Sequence, residues 1–260
     1  MNLNSHESMP RRGKTRQILG VNFFTDTRDA AITQAMQGGL AVWPSGPGLG
    51  VDLIRSQTYR DALVAADMVL VDSGALFLFW RLFTGEWIQK HSGLTFLRAI
   101  LQQADFKQPG AVFWVMPSED DQQRNLRWLE SQGLYSSPED CYVAPFYRPD
   151  AIVDNLLLQK IESRRPRIVM IAIGGGVQEQ LGHFLRRDLS YRPSIFCLGA
   201  AIAFLTGGQA KIPVWADELL LGWLLRVVYS PRRYAKRYWQ AWGLFPKLWR
   251  YREKMPPLRE

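Results

Sequence analysis

Cysteine and histidine are scarce in this chain, with two and three residues among 260. Cys141 and Cys197 each sit inside an apolar, strand-like run, which argues against a disulfide scaffold and fits a reducing cytoplasm. His6, His91 and His183 are too scattered for a metal cluster, and Asp-x-Asp does not occur, so neither metal nor cofactor is expected. No apolar run reaches the roughly 18 residues that a bilayer-crossing helix needs. The longest candidate, 219–228, is cut by Arg226. The N-terminus carries Arg11, Arg12, Lys14 and Arg16 without the apolar core of a signal peptide, so residues 1–16 are expected to form a disordered basic arm. Internal repeats and low-complexity linkers are missing as well.

Acidic residues are nearly absent from one stretch. Residues 221–260 hold ten Lys or Arg against Glu253 and Glu260, which accounts for the whole net charge of +8 and leaves the other 220 residues neutral. Trp223, Tyr229, Tyr234, Tyr238, Trp239, Trp242, Phe245, Trp249 and Tyr251 are interleaved with those cations. Within 232–242 the basic and aromatic residues recur at helical spacing on displaced faces. Such a segment suits an anionic membrane surface, docking peripherally. Nucleic acid is the competing partner for basic aromatic segments, but no groove-reading or base-stacking motif accompanies this one, and none is expected to bind. A plain solvated or core-packing terminus is the third reading.

Upstream, short β-branched or aromatic runs alternate with helical patterns. The runs are 40–43, 68–71, 111–115, 142–146, 168–173 and 195–198; helical spacing appears in 51–65, 75–83, 94–104, 120–130 and 151–163. This alternation predicts an α/β, Rossmann-like, mostly parallel helix-covered sheet spanning 17–210, followed by a basic amphipathic appendage over 211–260.

In such a sheet, ligands bind beyond the carboxyl ends of the strands. Three loops there carry candidates. In 44–50, Ser45 and Gly46 precede a helix start that suits a phosphate, although Val51 replaces the last glycine of a dinucleotide fingerprint; the alternative is a structural turn. Asp72 ends an apolar strand ahead of Ser73-Gly74, placed either as a general base at a cleft rim or as the cap of the next helix. Gly174-Gly175-Gly176 leads into Gln178-Glu179, which suits an anion or sugar hydroxyls, or else forms a tight turn with two solvated side chains. If a diphosphate is handled without metal, Lys90, Arg226, Arg232, Arg233 and Arg237 are the cations available to neutralise it.

The order of these pieces resembles the WecG/TagA/CpsF glycosyltransferases from about Gly20 to Tyr238. The segment 59–74 looks like the family's stretch ending in Asp-Gly, Gln178-Glu179 matches its Gln-Glu, and Trp215, Trp223-Leu224, Arg226, Pro231-Arg232-Arg233 and Arg237-Tyr238 follow its C-terminal pattern. There are departures: Ser73 intervenes before the glycine, Lys90 replaces an Arg, Ala203 an Asp and Gly222 a Glu. The resemblance implies an inverting, metal-independent transfer from a UDP-sugar donor to a polyprenyl-diphosphate-linked acceptor at the cytoplasmic face of the cell membrane, in surface or exopolysaccharide synthesis. Asp72 would be the base. Ser45, Gly46, Gly174, Gln178 and Glu179 would hold the nucleotide sugar, and Lys90 with the tail arginines would meet diphosphate. A hexosyl or N-acetylhexosaminyl transfer fits, homo-oligomerisation is compatible with it, and the lost polar positions leave a catalytically degenerate membrane-bound scaffold as the alternative.

Overall fold

The computed structural model describes residues 13–209, 239 and 241–259. The basic arm through Arg12 and most of the predicted appendage, with Arg226, Arg232, Arg233 and Arg237, lie outside the described residues.

Each apolar run forms a strand of one eight-stranded sheet. In chain order the strands are β1 (Thr15–Ile18), β2 (Val21–Phe24), β3 (Gly39–Val42), β4 (Met68–Leu70), β5 (Val112–Met116), β6 (Cys141–Val143), β7 (Ile168–Ile171) and β8 (Ser194–Cys197). Their spatial order is β1-β2-β4-β3-β8-β7-β5-β6, and every pairing but β1 with β2 is parallel. The expected α/β parallel architecture is therefore present. The strands β3, β4, β5, β7 and β8 are buried throughout because helices cover both faces, so they read as continuous apolar stretches.

The helices are α1 (Arg28–Ala35), α2 (Gly46–Gly50), α3 (Gln57–Ala65), α4 (Gly74–Thr84), α5 (Gly93–Ile100), α6 (Glu119–Ser131), α7 (Asn155–Arg164), α8 (Val177–Asp188), α9 (Ala201–Thr206) and α10 (Leu244–Tyr251). Leu40 and Val42 pack with α3, α4, α7, α8 and α10, whereas Ala41 and Trp43 pack on the opposite face with α1, α5, α6 and α9. Two layers of core result from the period-two alternation of strand side chains.

Three expectations need correction. Residues 15–24 form a hairpin, so the arm does not extend to Arg16. The signal was present in Ile18-Leu19-Gly20-Val21, where Leu19 and Gly20 both take positive φ in a tight reversal. The strand expected over 142–146 stops at Val143, and Phe146 is 94% exposed. Residues 51–65 are not one helix; a short 3₁₀ turn, Asp52–Ile54, precedes α3, whose N-cap Ser56 accepts from Tyr59 N.

The C-terminal residues belong to the folded body. Leu244 and Leu248, one helical turn apart, are 0% and 1% exposed within the core beneath α4. Leu19 N and Gly20 N donate to the Arg252 and Glu253 carbonyls, Arg60 donates to Pro256 O, and Arg259 N donates to Ile54 O. A β-carbon on Gly20 would lie 2.6 Å from Met255 Cβ, so only glycine admits this approach.

Tyr59 is completely buried and its hydroxyl has no partner among the described residues; burial, then Glu179 and Asp52, drives its pKa well upward. An unsatisfied buried hydroxyl costs about 1 kcal/mol or more. Tyr59→Phe should therefore raise unfolding stability by about 1 kcal/mol, read from the urea midpoint. A lower midpoint would show that the hydroxyl has a bonding role.

Candidate active site

The register of the sheet brings the candidate loops together. Val42 is level with Val69 on one side and Cys197 on the other, and Cys197 is level with Ile171. Ser45, Asp72, Gly174 and Ala200 thus each follow three residues beyond that common line, at one edge of the sheet. The strands β2 to β4 fan to one side of this point and β5 to β8 to the other, so it is the topological switch of the sheet.

Distances confirm the convergence. A β-carbon on Gly46 would lie 3.1 Å from Ser73 Oγ and 3.1 Å from Ala241 Cβ, and one on Gly175 would lie 3.8 Å from Ser45 Oγ. The 44–50 loop folds into the short helix α2, whose N-cap Ser45 accepts from Gly48 N at 3.2 Å. Gly48 packs on Tyr59, where a β-carbon would come within 2.4 Å of the hydroxyl oxygen. Beside Gly174 the space is open to 4 Å. These backbones can approach a ligand closely.

Asp72 is not the cap of α4. Ser73 takes that role, its Oγ accepting from Leu76 N at 3.2 Å. Asp72 Oδ1 instead accepts from Gly93 N, the first residue of α5, at 2.9 Å. The carboxylate is half-buried, and its second oxygen has no hydrogen-bond partner among the described residues. Ser73, which intervenes between Asp72 and Gly74, is thus the residue that frees the aspartate from capping.

Gln178 and Glu179 both turn inward. Gln178 is 3% exposed; its amide donates to Glu179 Oε1 at 3.1 Å, while its own Oε1 lies near Gly199 without a partner among the described residues. An unsatisfied buried amide oxygen next to a loop is available to a ligand hydroxyl. Glu179 differs from its expected role in direct substrate contact. It is fully buried, and its Oε2 accepts from Gly176 N at 2.7 Å, so it braces the glycine loop from behind. Burial pushes its carboxyl up to about 7, with Asp52 adding to the rise and the bonds from Gln178 and Gly176 opposing it.

A cleft of about 730 Å³ opens between the β2–α1 turn and the segment entering α5; Asp72 does not line it, but Ser92 does, next to the Gly93 that holds Asp72. Lys90 lines it, as do Arg28, Phe77, Trp87 and His91, which sequence reasoning missed. The only sequence signal for His91 was its position after Lys90, and its burial could not be read there. His91 is 3% exposed, its main-chain N–H donates to Val71 O, and neither ring nitrogen has a hydrogen-bond partner among the described residues. Burial pushes the imidazole down to about 4; Asp26 opposes this but does not reach hydrogen-bonding geometry with the ring. A larger cavity, about 1180 Å³, lies at the opposite edge of the sheet, where Asp67 is already bonded to Leu40 N, Arg186 and Arg192. Three of its charged side chains, Asp67, Arg186 and Arg192, are thus paired with one another.

No group of three or more metal-ligating side chains occurs among the described residues, and no described helix is long and apolar enough to cross a membrane. The sequence model of the glycosyl transferase WecG/TagA/CpsF family matches residues 16–257, nearly the whole chain. The chain belongs to this glycosyltransferase family. No curated protein matches it. As a member, it is a transferase of cell-surface polysaccharide synthesis that takes a sugar donor and an acceptor. The matched range thus includes the loops that meet at one sheet edge and α10 folded beside them.

Proposed function

We propose that the protein transfers a sugar from a UDP-sugar to a polyprenyl-diphosphate-linked acceptor, with inversion and without a metal, at the inner face of the cell membrane. The observation that carries this reading is the Asp72 carboxylate. It is anchored by Gly93 N, released from capping, and level with the glycine loops, while His91 and Ser92, which line the cleft, immediately precede its anchor Gly93.

The two sides of Asp72 suit two substrates. The α2 start and the open backbone at Gly174 suit the nucleotide diphosphate, and Gln178 Oε1 suits a hydroxyl of the donor sugar. The cleft suits the acceptor. Lys90 and Arg28 supply cations, and the uncharged imidazole of His91 supplies one donor and one acceptor, which matches a sugar hydroxyl. Asp72 removes the proton of the attacking acceptor hydroxyl, whose oxygen bonds to the anomeric carbon as the bond to UDP breaks. Ala241 beside Gly46 supports a C-terminal segment that borders the donor side. The arginines Arg226, Arg232, Arg233 and Arg237 remain candidates for the diphosphates.

Lys90→Ala is expected to raise the KM for a short-chain polyprenyl-diphosphate sugar about tenfold, the worth of one charge-assisted hydrogen bond, with the KM for the donor unchanged. An increase confined to the donor would place Lys90 on the other substrate. The scaffold alternative predicts no transfer from any UDP-sugar by the native protein.

A further inference from the structure

We infer that the outer faces of α4 and α10, together with Trp87, form the surface by which the folded body docks on an anionic lipid bilayer. The inference rests on the membrane reading given above and deepens it: it adds α4 and Trp87 of the folded body to the aromatic residues of the C-terminal segment.

Helix α4 is apolar on nearly every side, in the sequence Gly74-Ala-Leu-Phe-Leu-Phe-Trp-Arg-Leu-Phe-Thr84. A helix of this kind is normally enclosed by protein. Here only Leu76 and Trp80 are buried in the core, while Leu78 and Leu82, one turn apart, are 47% and 69% exposed. The next row, Phe79 and Phe83, meets Trp242, Phe245 and Trp249 of the C-terminal segment, with ring centroids 4.9 to 5.8 Å apart. Those three rings follow one another at helical spacing, Phe245 and Trp249 lying about 100° round α10 from the buried Leu244 and Leu248, and Trp242 and Trp249 are 64% and 62% exposed. On the other flank Trp87 packs on Phe77, and Arg81 stacks 3.5 Å over the Trp87 ring. The rows join into one continuous apolar ridge.

Charge selects the occupant. Between Gly74 and Thr84, and between Ala241 and Tyr251, there is no acidic residue, and the charges present are Arg81, Lys247 and Arg250. The acidic neighbours Glu86 and Glu253 are both paired to Arg16. Exposed tryptophan and leucine beside Arg81 and Arg250, which have no carboxylate partner among the described residues, match the boundary between acyl chains and anionic headgroups. The ridge also shares Phe77 and Trp87 with the cleft lined by Lys90 and His91. Seated on a bilayer by this face, the protein would open that cleft toward the lipid, where an acceptor anchored by its polyprenyl chain must enter.

The test is flotation of the full chain with vesicles of phosphatidylglycerol and phosphatidylcholine, and with phosphatidylcholine alone. Comparison is made with a Leu78→Ser, Leu82→Ser double variant, with Arg81→Gln, and with a control pair, Val64→Ser and Leu156→Ser, exposed elsewhere on α3 and α7. The expected result is a loss of about tenfold or more in partitioning for the double leucine variant. Arg81→Gln should lose several-fold on anionic vesicles only, and the control pair should behave as wild type. Sugar transfer to a short-chain, water-soluble acceptor should stay intact, which separates failure of docking from failure of the catalytic reading. Unchanged partitioning of the double variant would overturn the inference and leave docking to the basic tail. So would a variant whose oligomeric state in lipid-free solution changes while its vesicle binding does not, since the ridge would then face a second copy.

Discussion

Asp72→Asn is expected to lower sugar transfer by a hundredfold to ten-thousandfold, the usual contribution of a positioned general base, without unfolding the protein. Asparagine retains an oxygen that can accept from Gly93 N, so the contact that orients the side chain survives. The cap of α4 is untouched because Ser73 forms it. What is lost is the ability to take a proton. The measurement is transfer of labelled sugar from a panel of UDP-sugars into lipid-extractable product, with thermal melts of both proteins alongside. Equal rates for the two proteins would remove Asp72 from the chemistry. Asp72→Glu provides a geometric control, since one extra methylene carries the carboxylate away from its anchor at α5 and should cost activity even though the base remains.

A second large effect is predicted in stability against pH, and it originates behind the site. Burial raises the Glu179 carboxyl from 4.5 to about 7. The folded state therefore holds a proton that the unfolded chain releases between about pH 4.5 and 7. The associated stability is fully present below that window and is lost as pH rises through it, amounting to about 3 kcal/mol. His91 acts in the opposite sense, because its imidazole is held down near 4. Its contribution is lost as pH falls from the ordinary histidine range toward 4, so the wild-type profile alone conceals both groups. The difference between wild type and Glu179→Gln isolates one of them. Denaturant unfolding should show wild type losing about 3 kcal/mol relative to the glutamine variant between pH 4.5 and 8. A constant difference across that range would mean that Glu179 is ionised in the fold, with the Gly176 loop braced by a charge. If the loop holds the donor diphosphate, loss of the Glu179 proton near neutrality also brings a negative charge up behind that ligand, and donor affinity should weaken over the same interval.

The sequence by itself determined the layer architecture, because a parallel sheet covered on both faces writes six of its strands as continuous apolar runs separated by helical patterns. It also placed Asp72, Ser45 and Gly174 at strand ends, since in such a sheet the residue that follows an apolar run must emerge at the carboxyl edge. The C-terminal charge and aromatic content were equally legible, being local composition. Tertiary structure decided the rest. Pairing order is set by contacts far apart in sequence, and it alone brings the ends of β3, β4, β7 and β8 level at one switch point. Whether Asp72 or Ser73 caps α4 depends on the approach of α5, whose Gly93 N–H draws the aspartate away. Glu179 looked like a ligand in the first turn of a helix, but the packing of Asp52 and Tyr59 behind it makes it a buried brace instead. His91 was an isolated histidine until the fold enclosed it beside Lys90. The aromatic residues of the C-terminal segment acquired their direction only when Leu244 and Leu248 were buried, because a helix cannot show which of its faces will meet water until its other face has found a core.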